Sequence, residues 1–200
     1  MVAPSSLTLA PSWLRVAFWV NFYGWFGVET WVWMRERRLS RGQRQDRGSV
    51  LWIVLWVWAG IWAGFLAMYN FGPGAFPPAA TAWFAAGIVI TWLGAAFRLW
   101  AIRTLGSFFR VRVEIQPEHR IITHGPYRFI RNPAYTGATI TMLGFGLTMR
   151  NWLSVVFCLA GILIAYSRRI SVEQKALEAH FGDVYGAYIR RTWALIPFIW

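Results

Sequence analysis

Long apolar runs, parted by gaps in which nearly every charge is an arginine, constrain this chain more than anything else in it. A helix needs about 20 mostly apolar residues to cross the hydrocarbon of a bilayer. Residues 13–34 supply such a run, with Asn21 and Glu29 as its polar exceptions. Residues 50–71 form a clean one, and 81–102 another, with Arg98 near its end. Residues 134–149 and 152–166 are shorter and flank Arg150-Asn151, which predicts a tight helical hairpin where short helices dip through a locally thin or protein-packed region. The expectation is an all-α integral membrane protein with about five transmembrane helices. A hydrophobic fraction of 57% agrees, being too high for an ordinary soluble domain of 200 residues.

The gaps set the orientation. Residues 35–49 carry Arg35, Arg37, Arg38, Arg41, Arg44 and Arg47, whereas 70–80 carry no charge. Residues 103–133 are again rich in arginine, and the tail holds Arg168, Arg169, Lys175, Arg190 and Arg191. Basic gaps alternate with poor ones, as the positive-inside rule requires. The N-terminus is therefore expected outside and the C-terminus inside, with Arg15 and Arg150 as outliers. A net charge of +12 spread in this way fits topology and anionic lipid better than nucleic acid. No cleaved signal peptide is expected, because no basic region precedes the first apolar run. The lone Cys158 allows no intrachain disulfide, and His119, His124 and His180 are too scattered for a metal site.

Two polar segments stand out. "FRVRVEI" (109–115) alternates strictly, and with the turn "QPEH" and "RIIT" it predicts a small β-hairpin in the third loop. From Ser167 to Arg191, Ile170, Leu177, Phe181, Val184 or Tyr185, and Tyr188 fall near one helical face, which predicts a C-terminal amphipathic helix kinked or broken at Gly182.

"HGPYRFIRNPAY" (124–135) lies at the start of the fourth run. Gly125-Pro126 signals a turn, and Asn132-Pro133 reads as an N-cap followed by Pro at the first helical position. A helix start presents free N–H groups to an anion. Arg128 and Arg131 add charge beside it, and Tyr127 and Tyr135 add flat apolar faces with polar tips. Glu173 and Gln174, in the tail helix, are the nearest candidates to face it. No phosphate-binding glycine loop, dinucleotide fingerprint or nucleophile elbow is present.

"LGSFF" (105–109), "HGPYRFIRNPAYTG" (124–137), "ISVEQKAL" (170–177) and "FGDVYGAYIRRTWALIP" (181–197) resemble, in order and spacing, the isoprenylcysteine carboxyl methyltransferase family and the wider phospholipid methyltransferase group. The resemblance covers 98–200 and leaves 1–97 as generic spans of a single domain. It implies an S-adenosylmethionine-dependent methyltransferase acting at the membrane on a lipophilic acceptor, either a prenylcysteine-like carboxylate or a lipid amine. Carried over, it gives His124, Gly125, Tyr127, Arg131, Asn132, Tyr135, Glu173 and Gln174 as cofactor-pocket residues. Arg131, Glu173 and Arg190 become catalytic candidates, with Arg190 or Arg191 on an anionic acceptor head. Two positions depart from the family: its histidine is Asn132 here, and the second acid of its pair is Gln174. Arginine-rich composition suggests a bacterial inner membrane. Two other readings stand beside this one, a nicotinamide-dependent membrane reductase of the sterol-reductase type and a non-catalytic scaffold.

Overall fold

The structure is a computed structural model and describes residues 11–39, 48–71, 80–106 and 121–197. In chain order it holds α1 (Ser12–Leu39), α2 (Ser49–Asn70), α3 (Ala80–Leu105), a 3-10 turn (Gly125–Arg128), α4 (Pro133–Thr148), α5 (Trp152–Phe181) and α6 (Asp183–Ile189). All regular structure among the described residues is helical, so the fold class read from the sequence holds. The hairpin expected at 109–123 falls almost wholly outside the described residues, and 121–123 have no regular structure.

The helices pack by two different means. Between α3 and α4 the backbones nearly touch: a Cβ placed on Gly94 would lie 2.5 Å from the Thr141 amide nitrogen. The threonines of that seam return their hydroxyls to carbonyls, Thr91 to Gly87 at 2.8 Å and Thr141 to Gly137 at 2.9 Å. Neither hydroxyl is then left bare in the apolar layer. α2 and α5 cross as closely, since a Cβ on Gly161 would lie 2.5 Å from the Trp56 carbonyl oxygen. Small residues at helix contacts are the usual device where lipid removes the hydrophobic drive to associate. α1 instead stands off on aromatic rings. Phe145 of α4 meets Phe18, Phe22 and Trp25 of α1 at centroid distances of 5.8, 5.5 and 5.9 Å.

Three helices, over Val50–Asn70, Thr81–Leu105 and Trp152–Phe181, are long and apolar enough to cross a membrane. α1 is long but interrupted by Asn21 and Glu29. α4, at 16 residues, spans about 24 Å and is shorter than the hydrocarbon layer. The predicted α4–α5 hairpin is present. Arg150 turns it at φ 57°, and the Asn151 side chain caps α5 by accepting from the amides of Leu153 (2.8 Å) and Ser154 (3.3 Å).

The tail differs from expectation. No separate helix begins at Ser167; α5 runs unbroken for 30 residues from Trp152 to Phe181, about 45 Å. Arg168 and Arg169 read as the end of a span, but neither breaks a helix, and Arg169 turns inward. The break at Gly182 is where it was expected: with φ 53° and ψ −129°, it ends α5 and admits α6.

Candidate functional site

The "GPYRFIRNPAY" segment is a clasp. Gly125, at φ 59°, lets the chain turn hard against α3, where a Cβ would lie 3.0 Å from the Thr104 methyl carbon. Past the turn, the chain pairs with the C-terminal strap. The Trp193 amide donates to the Phe129 carbonyl at 2.9 Å, and the Arg131 amide donates to the Trp193 carbonyl at 2.7 Å. The Arg131 guanidinium donates to the carbonyls of Ile189 (3.0 Å) and Thr192. Asn132 Nδ2 donates to the Ala194 carbonyl at 2.8 Å, and the Thr136 hydroxyl to the Leu195 carbonyl at 2.6 Å. From the other side, the Tyr188 hydroxyl donates to the Tyr127 carbonyl at 2.8 Å.

This corrects the expected role of Asn132. It occupies the N-cap position of α4, and Pro133 begins the helix as predicted, but the Asn132 side chain makes no cap hydrogen bond. Its amide serves a residue 62 positions away in sequence instead.

One turn into α4 the chemistry changes from clasp to charge. The Tyr135 hydroxyl donates to Glu173 Oε2 at 2.7 Å and accepts from Arg169 Nε at 3.1 Å. Arg169 Nε lies 3.7 Å from the same carboxylate oxygen, four residues apart on α5. The Arg169 side chain is 1% exposed and that of Glu173 33%, so the carboxylate forms the open side of an otherwise closed group. The Tyr135 ring packs at 4.5 Å, centroid to centroid, on Tyr166. Beside Tyr166 lies the guanidinium of Arg98. Arg98 donates from Nη1 to the Ala134 carbonyl at 2.9 Å and from Nη2 to Glu29 Oε2 of α1 at 3.2 Å, with Nε at ion-pair distance, 3.0 Å, from Glu29 Oε1. A continuous line of polar groups thus runs from Glu29 on α1, through Arg98, Tyr166 and Tyr135, to Glu173 and Arg169. Ionisable residues within apolar spans are costly and generally mark function.

Three tyrosines outside the spans enclose the Glu173 side. Burial, and then the neighbouring Glu173 carboxylate, push the Tyr127 phenol well above its ordinary range. The same two causes push Tyr185 up to about 12. Burial and Tyr185 raise Tyr188. All three hydroxyls are neutral at physiological pH, so these tyrosines add no charge of their own beside Glu173 and the Arg131 guanidinium.

Of the residues singled out in the sequence, Tyr135 and Glu173 meet directly, and Tyr127 joins them. Arg131, Asn132 and Gly125 build the clasp around them. His124 is exposed ahead of the turn, and Arg190 is exposed on the strap. Gln174 turns away and donates to Glu178 at 3.0 Å. Sequence reasoning missed Arg169, Tyr166 and the role of the Arg98–Glu29 pair. For the pair the signal was plain, two opposite charges inside apolar runs. For Arg169 it was the four-residue spacing to Glu173.

A sequence profile described as phospholipid methyltransferase matches residues 82–184, just over half the chain and the stretch that carries Arg98, the clasp, Arg169 and Glu173. The chain belongs to that family. A probable protein-S-isoprenylcysteine O-methyltransferase of Oryza sativa subsp. indica is 33% identical over 128 residues, covering 62% of this chain and 67% of the relative. Protein-S-isoprenylcysteine O-methyltransferase B of Arabidopsis thaliana is 29% identical, covering 62% and 65%. Among solved structures, a eukaryotic intramembrane Ras methyltransferase (isoprenylcysteine carboxyl methyltransferase) matches at a TM-score of 0.62 and 25% identity, over 96% of this chain and 70% of that one. The family resemblance read from the motifs is thereby borne out, and the protein is a membrane methyltransferase. The nicotinamide-dependent reductase reading falls.

Proposed function

We propose that this methyltransferase carries a methyl group from S-adenosylmethionine to the carboxylate of a lipophilic, prenylcysteine-like acceptor, at the Tyr135–Glu173–Arg169 centre. The arrangement of charge is the observation that carries this reading. Arg98 and Arg169 flank the Tyr135–Tyr166 pair, one toward the membrane spans and one toward the open end. Each guanidinium has a carboxylate beside it, Arg98 that of Glu29 and Arg169 that of Glu173, so an acceptor carboxylate can share an arginine while the centre holds no free base among the described residues. A carboxylate also needs no base, because it has no proton to lose. An amine acceptor would need one, and the only carboxylate in the centre among the described residues is already engaged by a phenol and a guanidinium.

The residues fit the cofactor. Glu173 offers Oε1, which accepts no hydrogen bond among the described residues, to an ammonium group. Arg131 Nε is buried without a hydrogen-bond partner among the described residues, close to where the clasp meets α4. When bound, the cofactor supplies a methyl group on a sulfonium, open to in-line displacement. What the chain adds is position: the arginines orient the acceptor oxygen, and the tyrosine wall keeps water out. Asn132 in place of the family's histidine is consistent with this division, since its amide holds the strap. Residues 98–200 form the cofactor-binding half of a single domain. The basic gaps support a cytoplasmic location for this end, with the N-terminus outside, in what we take to be a bacterial inner membrane.

The test uses purified protein, tritiated cofactor and a farnesylcysteine analogue. A methyl ester releases volatile methanol in base, whereas an N-methyl product does not. A base-stable labelled product would refute the carboxylate assignment. Glu173→Gln should weaken cofactor binding, measured by calorimetry in detergent, at least about tenfold, as expected for loss of a charge-assisted contact. Unchanged affinity would remove Glu173 from the cofactor site.

A further inference from the structure

A second cleft opens at the arginine-rich end of the bundle, between residues 121–128 and α6, with a volume of about 670 Å³. Its floor is apolar, formed by Phe181 and Ala187 with Val184 at the rim, and Arg128 and Arg191 line it with no acidic residue among the described lining residues. Both arginines are exposed, and neither forms an ion pair among the described residues. Arg128 lies over the Phe129 ring, 5.4 Å from its centroid. The rim is unusually apolar for a segment outside the spans: Val184 is 67% exposed and Phe129 61%. The pairing of Trp193 with Phe129 sets a second exposed aromatic beside the first. Exposed aromatic residues next to arginines, where the spans end, are the marks of the bilayer's interfacial layer.

We infer that this cleft binds the headgroup of an anionic phospholipid from the surrounding membrane, as a site separate from the methyl-transfer centre. The phosphate sits between Arg128 and Arg191, and the proximal acyl carbons lie over Val184 and Phe181. Charge complementarity selects the lipid. Two guanidiniums with no carboxylate among the described lining residues favour a headgroup of net negative charge over a zwitterionic one, whose ammonium they repel. The apolar floor favours a lipid over a free anion. The two sites share a wall, because Tyr188 lines the cleft while its hydroxyl holds the Tyr127 carbonyl. A headgroup in the cleft therefore braces α6 against the clasp.

The experiment uses the full chain in detergent micelles with spin-labelled phosphatidylglycerol or spin-labelled phosphatidylcholine, read as the immobilised fraction by electron paramagnetic resonance. Phosphatidylglycerol should be preferred, and each of Arg128→Gln and Arg191→Gln should lower that preference by roughly fivefold. Val184→Glu, at an exposed position that leaves the fold undisturbed, should lower it as well by placing a carboxylate on the rim. Equal immobilisation of the two lipids, or a preference that survives Arg128→Gln, Arg191→Gln and Val184→Glu, would overturn the inference. So would displacement of the label by millimolar inorganic phosphate, which would mark a site for small anions. Displacement by S-adenosylhomocysteine would instead make the cleft part of the cofactor site. None of these results bears on whether Glu173 binds cofactor, so the two readings fail separately.

Discussion

Replacing Asn132 by alanine separates a clasp from a ligand. The Asn132 amide donates to the Ala194 carbonyl at 2.8 Å, and Ala194 is buried. Alanine removes the donor and leaves that carbonyl short of it in a buried place, a cost of about 1–3 kcal/mol. The loss is local. The strap stays tied by the Arg131 guanidinium, by the backbone pairing of Phe129 and Arg131 with Trp193, and by Thr136 on Leu195. The cost should therefore appear as easier opening of residues 189–197 while the helical bundle persists. At about 1.4 kcal/mol per tenfold, amide exchange in that segment should quicken by roughly 5- to 150-fold. Hydrogen exchange read by mass spectrometry, on a peptide that includes the Trp193 amide, measures it directly. Asn132→Asp keeps the shape, removes the donor and should do the same or worse. If both variants keep wild-type exchange across 189–197 while cofactor affinity collapses, the clasp reading is wrong and Asn132 contacts the cofactor.

Tyr135→Phe should remove the hydroxyl that joins Glu173 to Arg169 and lower kcat/KM by about 10- to 100-fold, given about 1.5–3 kcal/mol for hydrogen bonds to charged groups. An unchanged methyl-transfer rate would exclude that hydroxyl from the centre. Arg98→Gln leaves the Glu29 carboxylate unpaired between helices and should destabilise by about 3–5 kcal/mol, seen as a lower melting temperature in detergent. The Glu29→Gln/Arg98→Gln double variant should recover part of the loss, and strict additivity would contradict the pairing. Tyr127, Tyr185 and Tyr188 have raised folded-state pKa values against about 10 for the unfolded chain. Unfolding then releases protons above that point, so stability is full below about pH 10 and falls as pH climbs toward 12. A phenolate titration at 295 nm should show these tyrosines ionising late, together with unfolding; early, independent ionisation would contradict their burial.

The parts of this protein readable in the sequence are those decided locally. Apolar runs marked five helices, four of them to within five residues at either end, while α5 continues 15 residues past its apolar run; Gly182 marked the break after α5, and Pro133 the start of α4. The N-cap reading of Asn132 was right about position and wrong about the side chain, because the competing acceptor, the Ala194 carbonyl, comes from a segment 62 residues downstream. Arg168 and Arg169 looked alike as charges ending a span, yet Arg168 lies outside over Trp52 while Arg169 is buried against Tyr135. Helical rotation separates them by about 100°, and nothing local says which of the two faces is inward. The family resemblance placed Tyr135 and Glu173 in one pocket. The partner that closes their bond, Arg169, and the Glu29–Arg98 pair that extends the line to α1 depend on packing between helices distant in sequence.

The unbroken length of α5 has a mechanical consequence. A rod of about 45 Å seated in hydrocarbon about 30 Å thick brings Arg169 and Glu173 to the end of the spanning part and carries its last turns beyond it, without any hinge. A change of tilt imposed on the span by bilayer thickness is then geared directly to the far end, where it shifts Glu173 against Tyr135 on the shorter α4. Bilayer thickness would then act on the alignment of Tyr135 and Glu173 as a fulcrum acts on the swing of a lever. Reconstitution in bilayers of graded acyl length should therefore show an activity optimum in thickness, and a flat response would mean that α5 bends after all.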